Sequence, residues 1–114
     1  MTDLSIYEGN DKTWTVTVTD SDSVAIDITG YTFLFTVKKK ISDSDDNAII
    51  SKNITTHSDP TGGITAIIIN REDTVDISPK QYPCDFQMID DDDKRITIFK
   101  GTFTIIQSIG DRNI

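Results

Sequence analysis

The sequence predicts an all-β fold, and three observations carry that expectation. Forty of the 114 residues are Ile, Val or Thr, the side chains that suit a pleated, half-buried surface. Leu, Ala and Glu together supply only seven, so the strongest helix formers are nearly missing. Seventeen of the nineteen acidic residues are Asp, which favours turns and caps over helix interiors and so places the negative charge in loops. A chain of 114 residues can bury one continuous core. A single domain over 1–114 is expected, with its core at about 7–106 and short flexible termini.

Residues 13–19 alternate strictly, with Trp14, Val16 and Val18 on one face and Thr13, Thr15, Thr17 and Thr19 on the other. That is a strand with one buried face. Asp20-Ser21-Asp22-Ser23 supplies a turn, residues 24–28 a short extended piece, and Gly30 a break. The next run puts Tyr31, Phe33, Phe35 and Val37 on one face, which makes it the best central strand, with Phe35 facing inward beside Trp14 of a neighbouring strand. Residues 42–46 form a polar loop. Residues 48–54 and 64–69 then read as two strands joined by the hairpin chemistry of His57-Ser58-Asp59-Pro60-Thr61-Gly62-Gly63. Because 64–69 is almost continuously apolar, it is expected to be covered on both faces or to pair in mid-sheet. Asn70 can cap one helical turn through residue 75, with Glu72 and Asp73 at its positive end, and this turn is expected to cross between sheets. Tyr82, Cys84, Phe86 and Met88 alternate again, residues 90–94 turn the chain, and 96–99 and 102–106 complete the set, with a bulge or kink at Gly101.

Seven or eight short strands at this spacing indicate an antiparallel two-sheet sandwich in preference to a small barrel. Tyr82-Pro83-Cys84 matches part of the immunoglobulin tyrosine corner, in which the phenol ties down an inter-strand connection. With one cysteine there is no intrachain disulfide, and Cys84, alternating with core residues, is read as a buried thiol suited to a reducing cytoplasm.

Charge and motifs narrow the function. A net charge of −8 opposes a phosphate-binding surface, and Lys38-Lys39-Lys40 reads as the solvated end of a strand, so no nucleic-acid partner is expected. No stretch reaches the roughly 20 apolar residues of a membrane helix, and the polar N-terminus does not resemble a secretion signal. No cofactor and no metal site is assigned. Asp43-x-Asp45-x-Asn47 copies three positions of a calcium loop, but Ala48 stands where the turn glycine belongs and Ile54 where the bidentate carboxylate belongs. Asp20, Asp22 and Asp90 to Asp93 read as solvated hairpin tips that keep edges from aggregating, with oxygen ligation of Ca²⁺ as the alternative. His57 lacks a nucleophile in any catalytic arrangement and reads as a turn residue, so no catalytic residue is assigned and an enzyme is not expected. Most aromatics fall on core faces, with Tyr7 and Phe99 the ambiguous pair.

The order of motifs resembles the small immunoglobulin-like domains of tailed bacteriophage, best known from the N-terminal domain of baseplate upper proteins. The shared pattern starts with Glu8-Gly9-Asn10-Asp11 before an alternating strand. It continues with Val24-Ala25-Ile26-Asp27-Ile28-Thr29-Gly30-Tyr31 leading into Phe33-Leu34-Phe35-Thr36-Val37. Gly62-Gly63-Ile64-Thr65-Ala66-Ile67, Asp73-Thr74 and Tyr82-x-x-Asp85-Phe86-Gln87 repeat the family's strand, crossover and next strand, and Lys100-Gly101-Thr102-Phe103-Thr104-Ile105 its closing strand. The resemblance covers roughly residues 7–106. It implies a virion structural module that docks other virion proteins and carries no catalytic residue. A small all-β module of assembly works through closed symmetric contacts, so a homo-oligomer is expected, and the lone Cys84 fits assembly in the host cytoplasm. Baseplate upper proteins continue past this domain whereas this sequence stops, which suggests a stand-alone adaptor, collar or decoration protein. A carbohydrate-binding or adhesin-like sandwich recognising a host surface is the second class, and it would show an exposed aromatic cluster beside the acidic loops.

Overall fold

The computed structural model describes residues 2–40, 48–74 and 77–107. Among these residues seven strands run in chain order: β1 Thr2–Tyr7, β2 Lys12–Thr17, β3 Thr32–Val37, β4 Ile50–Ile54, β5 Ile64–Ile69, β6 Gln81–Ile89 and β7 Arg95–Ile106. They form a five-stranded sheet in the order β1-β7-β6-β3-β4 and a two-stranded sheet of β2 with β5. The fold is all-β, and its two sheets make a sandwich-like arrangement.

Alternation places the core as the sequence suggests. Phe33, Phe35 and Val37 of β3 and Tyr82, Cys84, Phe86 and Met88 of β6 are buried on the inner face of the larger sheet. From the smaller sheet Ile67 and Ile69 are buried, with Trp14 and Val16 half-buried against them. The rings interlock across the sandwich: Phe103 of β7 meets Trp14 in a T-shaped contact at 5.9 Å and Phe35 at 5.9 Å, while Phe86 stacks on Phe33 and Phe99. Trp14 and Phe35 therefore do not lie on neighbouring strands; they belong to opposite sheets and communicate through Phe103.

Several local expectations are corrected by long-range pairing. β1 pairs with β7 in parallel, so the larger sheet is not wholly antiparallel. Leu4 and Ile6 of β1 are buried, so the core begins before residue 7 and the N-terminal segment is a strand. β4 and β5 are not a hairpin. The turn between them is closed by reciprocal backbone bonds of Asp59 and Ile64, but β4 pairs with β3 and β5 with β2, so this connection changes sheet. Gly63 is required in that turn: its φ is +73°, and a Cβ there would stand 2.7 Å from the Ile26 and Val18 carbonyl oxygens.

Residues 24–28 form no ladder, only an isolated bridge of Ala25 with Thr19, although Ile28 is fully buried. The expected helical turn is a 3₁₀ turn at Arg71–Asp73, and it does connect the two sheets. The Asp73 carboxylate accepts the Asn70 N–H at 2.8 Å, which satisfies one donor of the turn. The irregularity in β7 falls at Ile98 and not at Gly101, which pairs regularly with Cys84 and with Thr2. Ile98 lies where β7 has run beyond β1 and, among the described residues, has β6 alone beside it, so the strand is free to bend there.

Candidate functional site

Three regions of the molecule bear on function: an acidic end, a groove on the outer face of the larger sheet, and the exposed edges of the strands. The acidic end is built from two turns of the same design. In the first, Asp20 Oδ1 accepts the backbone N–H groups of Asp22 and Val24 at 2.9 and 3.0 Å. In the second, Asp90 Oδ1 accepts those of Asp92 and Lys94, both at 2.9 Å. The fourth residue of each, Ser23 and Asp93, sits at φ 62°. A short carboxylate that bonds the backbone two residues on is what this turn requires, so the leading Asp of each turn serves the backbone.

Asp90, Asp91 and Asp92 bring carboxylate oxygens within 4.8 Å of one another at the β6–β7 tip. Tyr31 lies in their field: its phenol is pushed above the ordinary range by desolvation first, then by Asp91, Asp90, Asp27 and Asp92. The Asp27 carboxyl is held low by the Thr29 hydroxyl at 2.6 Å and then by the Thr29 N–H at 3.0 Å. The positions Asp43, Asp45 and Asn47 lie outside the described residues.

His57 and Cys84 take structural places. The Tyr31 carbonyl can only accept, so His57 Nε2–H donates to it at 2.8 Å; in the neutral ring Nδ1 is then the acceptor facing the fully buried Thr65 hydroxyl at 2.9 Å. The ring also meets Phe33 edge-on at 5.2 Å, so His57 pins the β4–β5 connection to both sheets. Burial pushes the Cys84 thiol up to about 11, with Asp85 and Asp3 adding to the rise. Such a thiol is a poor nucleophile at neutral pH. Tyr82 donates its phenol to the Ser78 carbonyl at 2.5 Å, four residues upstream, as a tyrosine corner does.

The groove, about 650 Å³, runs over the outward residues of β3, β6 and β7. Leu34, Thr36 and Pro83 form its half-buried floor, and Lys38, Arg95, Lys100 and Asp85 give it charge. Nothing in the local pattern of these strands announced it, because it arises from placing three non-consecutive outer faces side by side. Ile68 is the other surprise. It is 54% exposed, so the apolar run of β5 is covered on one face only, and among the described residues β5 pairs with β2 alone. The repeated D-x-D spacing at residues 20–22 and 90–92, by contrast, could have identified the two turns as equivalent.

A small sandwich of this kind, with Asp20, Asp90, Tyr82 and His57 committed to turns, a corner and packing, has the architecture of a structural domain. The chain belongs to the family described as the BppU N-terminal domain, the N-terminal domain of phage baseplate upper proteins, whose model matches residues 2–114. Among solved structures it is similar to the N-terminal domain of phage TP901-1 ORF48, with a TM-score of 0.53 over 92% of this chain and 83% of that one. At 10% sequence identity that likeness concerns the fold alone. No curated protein matches the chain in sequence. The family match places the chain among phage tail and baseplate structural proteins, and hence among virion components.

Proposed function

We propose that the chain is a non-catalytic assembly module of the baseplate, which docks other virion proteins through its sheet edges and loop ends and acts as a homo-oligomer. The family match across residues 2–114 carries this reading. The geometry supports it: Asp20 and Asp90 are engaged in building turns, His57 in joining the sheets, and Cys84 is buried. The Tyr82–Ser78 bond favours an immunoglobulin-like kinship, while the parallel β1–β7 pair is a departure within it. Assembly in the host cytoplasm fits a buried, unpaired thiol.

The glycan-binding alternative calls for aromatics grouped beside the acidic turns. Tyr7, 54% exposed, pairs with Ile106 at the far end of β7 from the Asp90 turn, and Tyr31 near that turn is half-buried. Affinity capture from cells co-expressing the other baseplate and tail proteins of the same phage tests the proposal. Recovery of at least one of them in stoichiometric amount is expected. Capture of none, together with retention on a host-wall glycan column, would replace assembly with adhesion.

A further inference from the structure

We infer that the outer edge of β5 pairs antiparallel with β5 of a second copy, joining two small sheets into one four-stranded sheet. This names a surface for the homo-oligomer proposed above and rests on that reading. The Val18 N–H donates to the Gly63 carbonyl at 2.8 Å, which sets the alternation along the β2–β5 pair. Thr65, Ile67 and Ile69 therefore exchange bonds with Val16, Trp14 and Lys12, and the polar groups of Ile64, Ala66 and Ile68 point to the far side. Ile64 spends its groups on Asp59, as the reciprocal bonds of 2.9 and 3.0 Å show. Ala66 and Ile68 have no partner there among the described residues, so two residues of ladder are open.

Natural sheets guard such edges with charge, bulges or covering segments. The two edges of the larger sheet are guarded among the described residues. On β1 the Lys12 ammonium caps the Ser5 carbonyl at 2.9 Å, and Asp3 stands on the same strand. On β4 Lys52 shares the inward face with Ile50 and Ile54, where it is paired with Asp73 at 2.7 Å. β2 begins with Lys12 at the corner beside β1. From Ile64 to Asn70 there is no charge, no proline and no bulge.

The occupant follows from charge and register. Two copies at −8 each repel across most surfaces, and residues 64–70 are a stretch where they meet without opposed carboxylates. A two-fold axis at Ile67 sets Ala66 against Ile68 of the second copy, and the reverse, in hydrogen-bonded pairs. The small side chain faces the large one, and the exposed Ile68 is covered on both copies. The contact is isologous and closes at two.

The full chain is studied by sedimentation from low to high micromolar concentration, with Ile68→Lys, Ala66→Cys, Ile68→Cys and a Ser51→Cys control on β4. The parent is expected to show a monomer–dimer equilibrium that Ile68→Lys weakens at least tenfold without lowering the melting temperature. Opposed hydrogen-bonded residues lie about 5.5 Å apart at Cα, within disulfide reach. Mild oxidation should therefore cross-link a mixture of Ala66→Cys and Ile68→Cys faster than either alone, and leave Ser51→Cys uncross-linked. A parent that associates regardless of Ile68→Lys, with no preferential cross-link in the mixture, would keep the homo-oligomer and remove this surface. A parent that stays monomeric throughout would remove both. If Ile68→Lys instead blocked capture of another baseplate protein by a monomeric parent, the edge would take a foreign strand and the second copy would be wrong.

Discussion

Removing the ring of Phe103 should uncouple the two sheets more than any other single truncation in the core. Phe103 is fully buried and touches Trp14 of the smaller sheet and Phe35 of the larger one, both at 5.9 Å between ring centres. Phe103→Ala loses the transfer energy of a whole ring and leaves a cavity between sheets, together about 3–5 kcal/mol. Phe35→Ala, also at zero exposure, belongs to the same range. Trp14 is half-buried and should cost less, about 2–3 kcal/mol. The edge-to-face geometry adds a specific coupling of about 0.5–1.5 kcal/mol between Trp14 and Phe103 beyond area burial. Urea denaturation measures all of this, and with a slope of about 1–3 kcal/mol per molar the Phe103→Ala midpoint should fall by roughly 2 M. Against a total stability of about 5–15 kcal/mol, such a variant stands near the edge of folding. A Phe103→Ala cost under about 1 kcal/mol, or Trp14→Ala and Phe103→Ala losses that add within about 0.3 kcal/mol, would show that this ring does not couple the sheets.

Three further outcomes are expected. Ser23→Gly and Asp93→Gly should each raise stability by about 0.5–1 kcal/mol, because relief of the left-handed backbone outweighs glycine's entropy, whereas Gly63→Ala should lower it by about 2 kcal/mol or more; thermal melts check both signs. Cys84 should resist iodoacetamide at pH 8 in the native protein and react readily in urea. Since the folded thiol holds its proton up to about 11 against an ordinary value near 9.0, the native state binds more protons between those pH values, and stability should be flat below pH 9 and fall as pH rises toward 11; equal labelling with and without urea would contradict burial. Millimolar CaCl₂ should move the melting temperature no further than NaCl of matched ionic strength, because Asp20 and Asp90 serve their turns; a Ca²⁺-specific rise of several degrees that Asp91→Asn and Asp92→Asn abolish would establish a cation site at the β6–β7 tip.

What was legible in the sequence is what alternation alone decides. The inward sets of β2, β3 and β6 follow from a period of two, and the turns at Asp20 and Asp90 from side chains that bond their own backbone. Partner choice is not local. β1 has only Leu4 and Ile6 to mark it, and it becomes a strand because the far end of the chain offers β7 in parallel. The segment 59–64 closes as a hairpin turn would, which its residues dictate locally, but its flanking strands belong to two sheets, which no local signal decides. The run Ile67-Ile68-Ile69 suits double cover or a mid-sheet place, but a two-stranded sheet gives it neither and leaves Ile68 in solvent, and that mismatch marks the candidate dimer edge. Likewise the groove beneath Lys38 and Arg95 exists only once β3, β6 and β7 lie side by side.

The central claim is that this chain is a structural part of the phage baseplate. Immunogold labelling of intact phage particles with antibody raised against the purified chain, read by electron microscopy, tests it most directly. Gold confined to the distal end of the tail is the predicted result. Gold distributed over the capsid, or none on particles whose baseplates are intact and accessible, would contradict it.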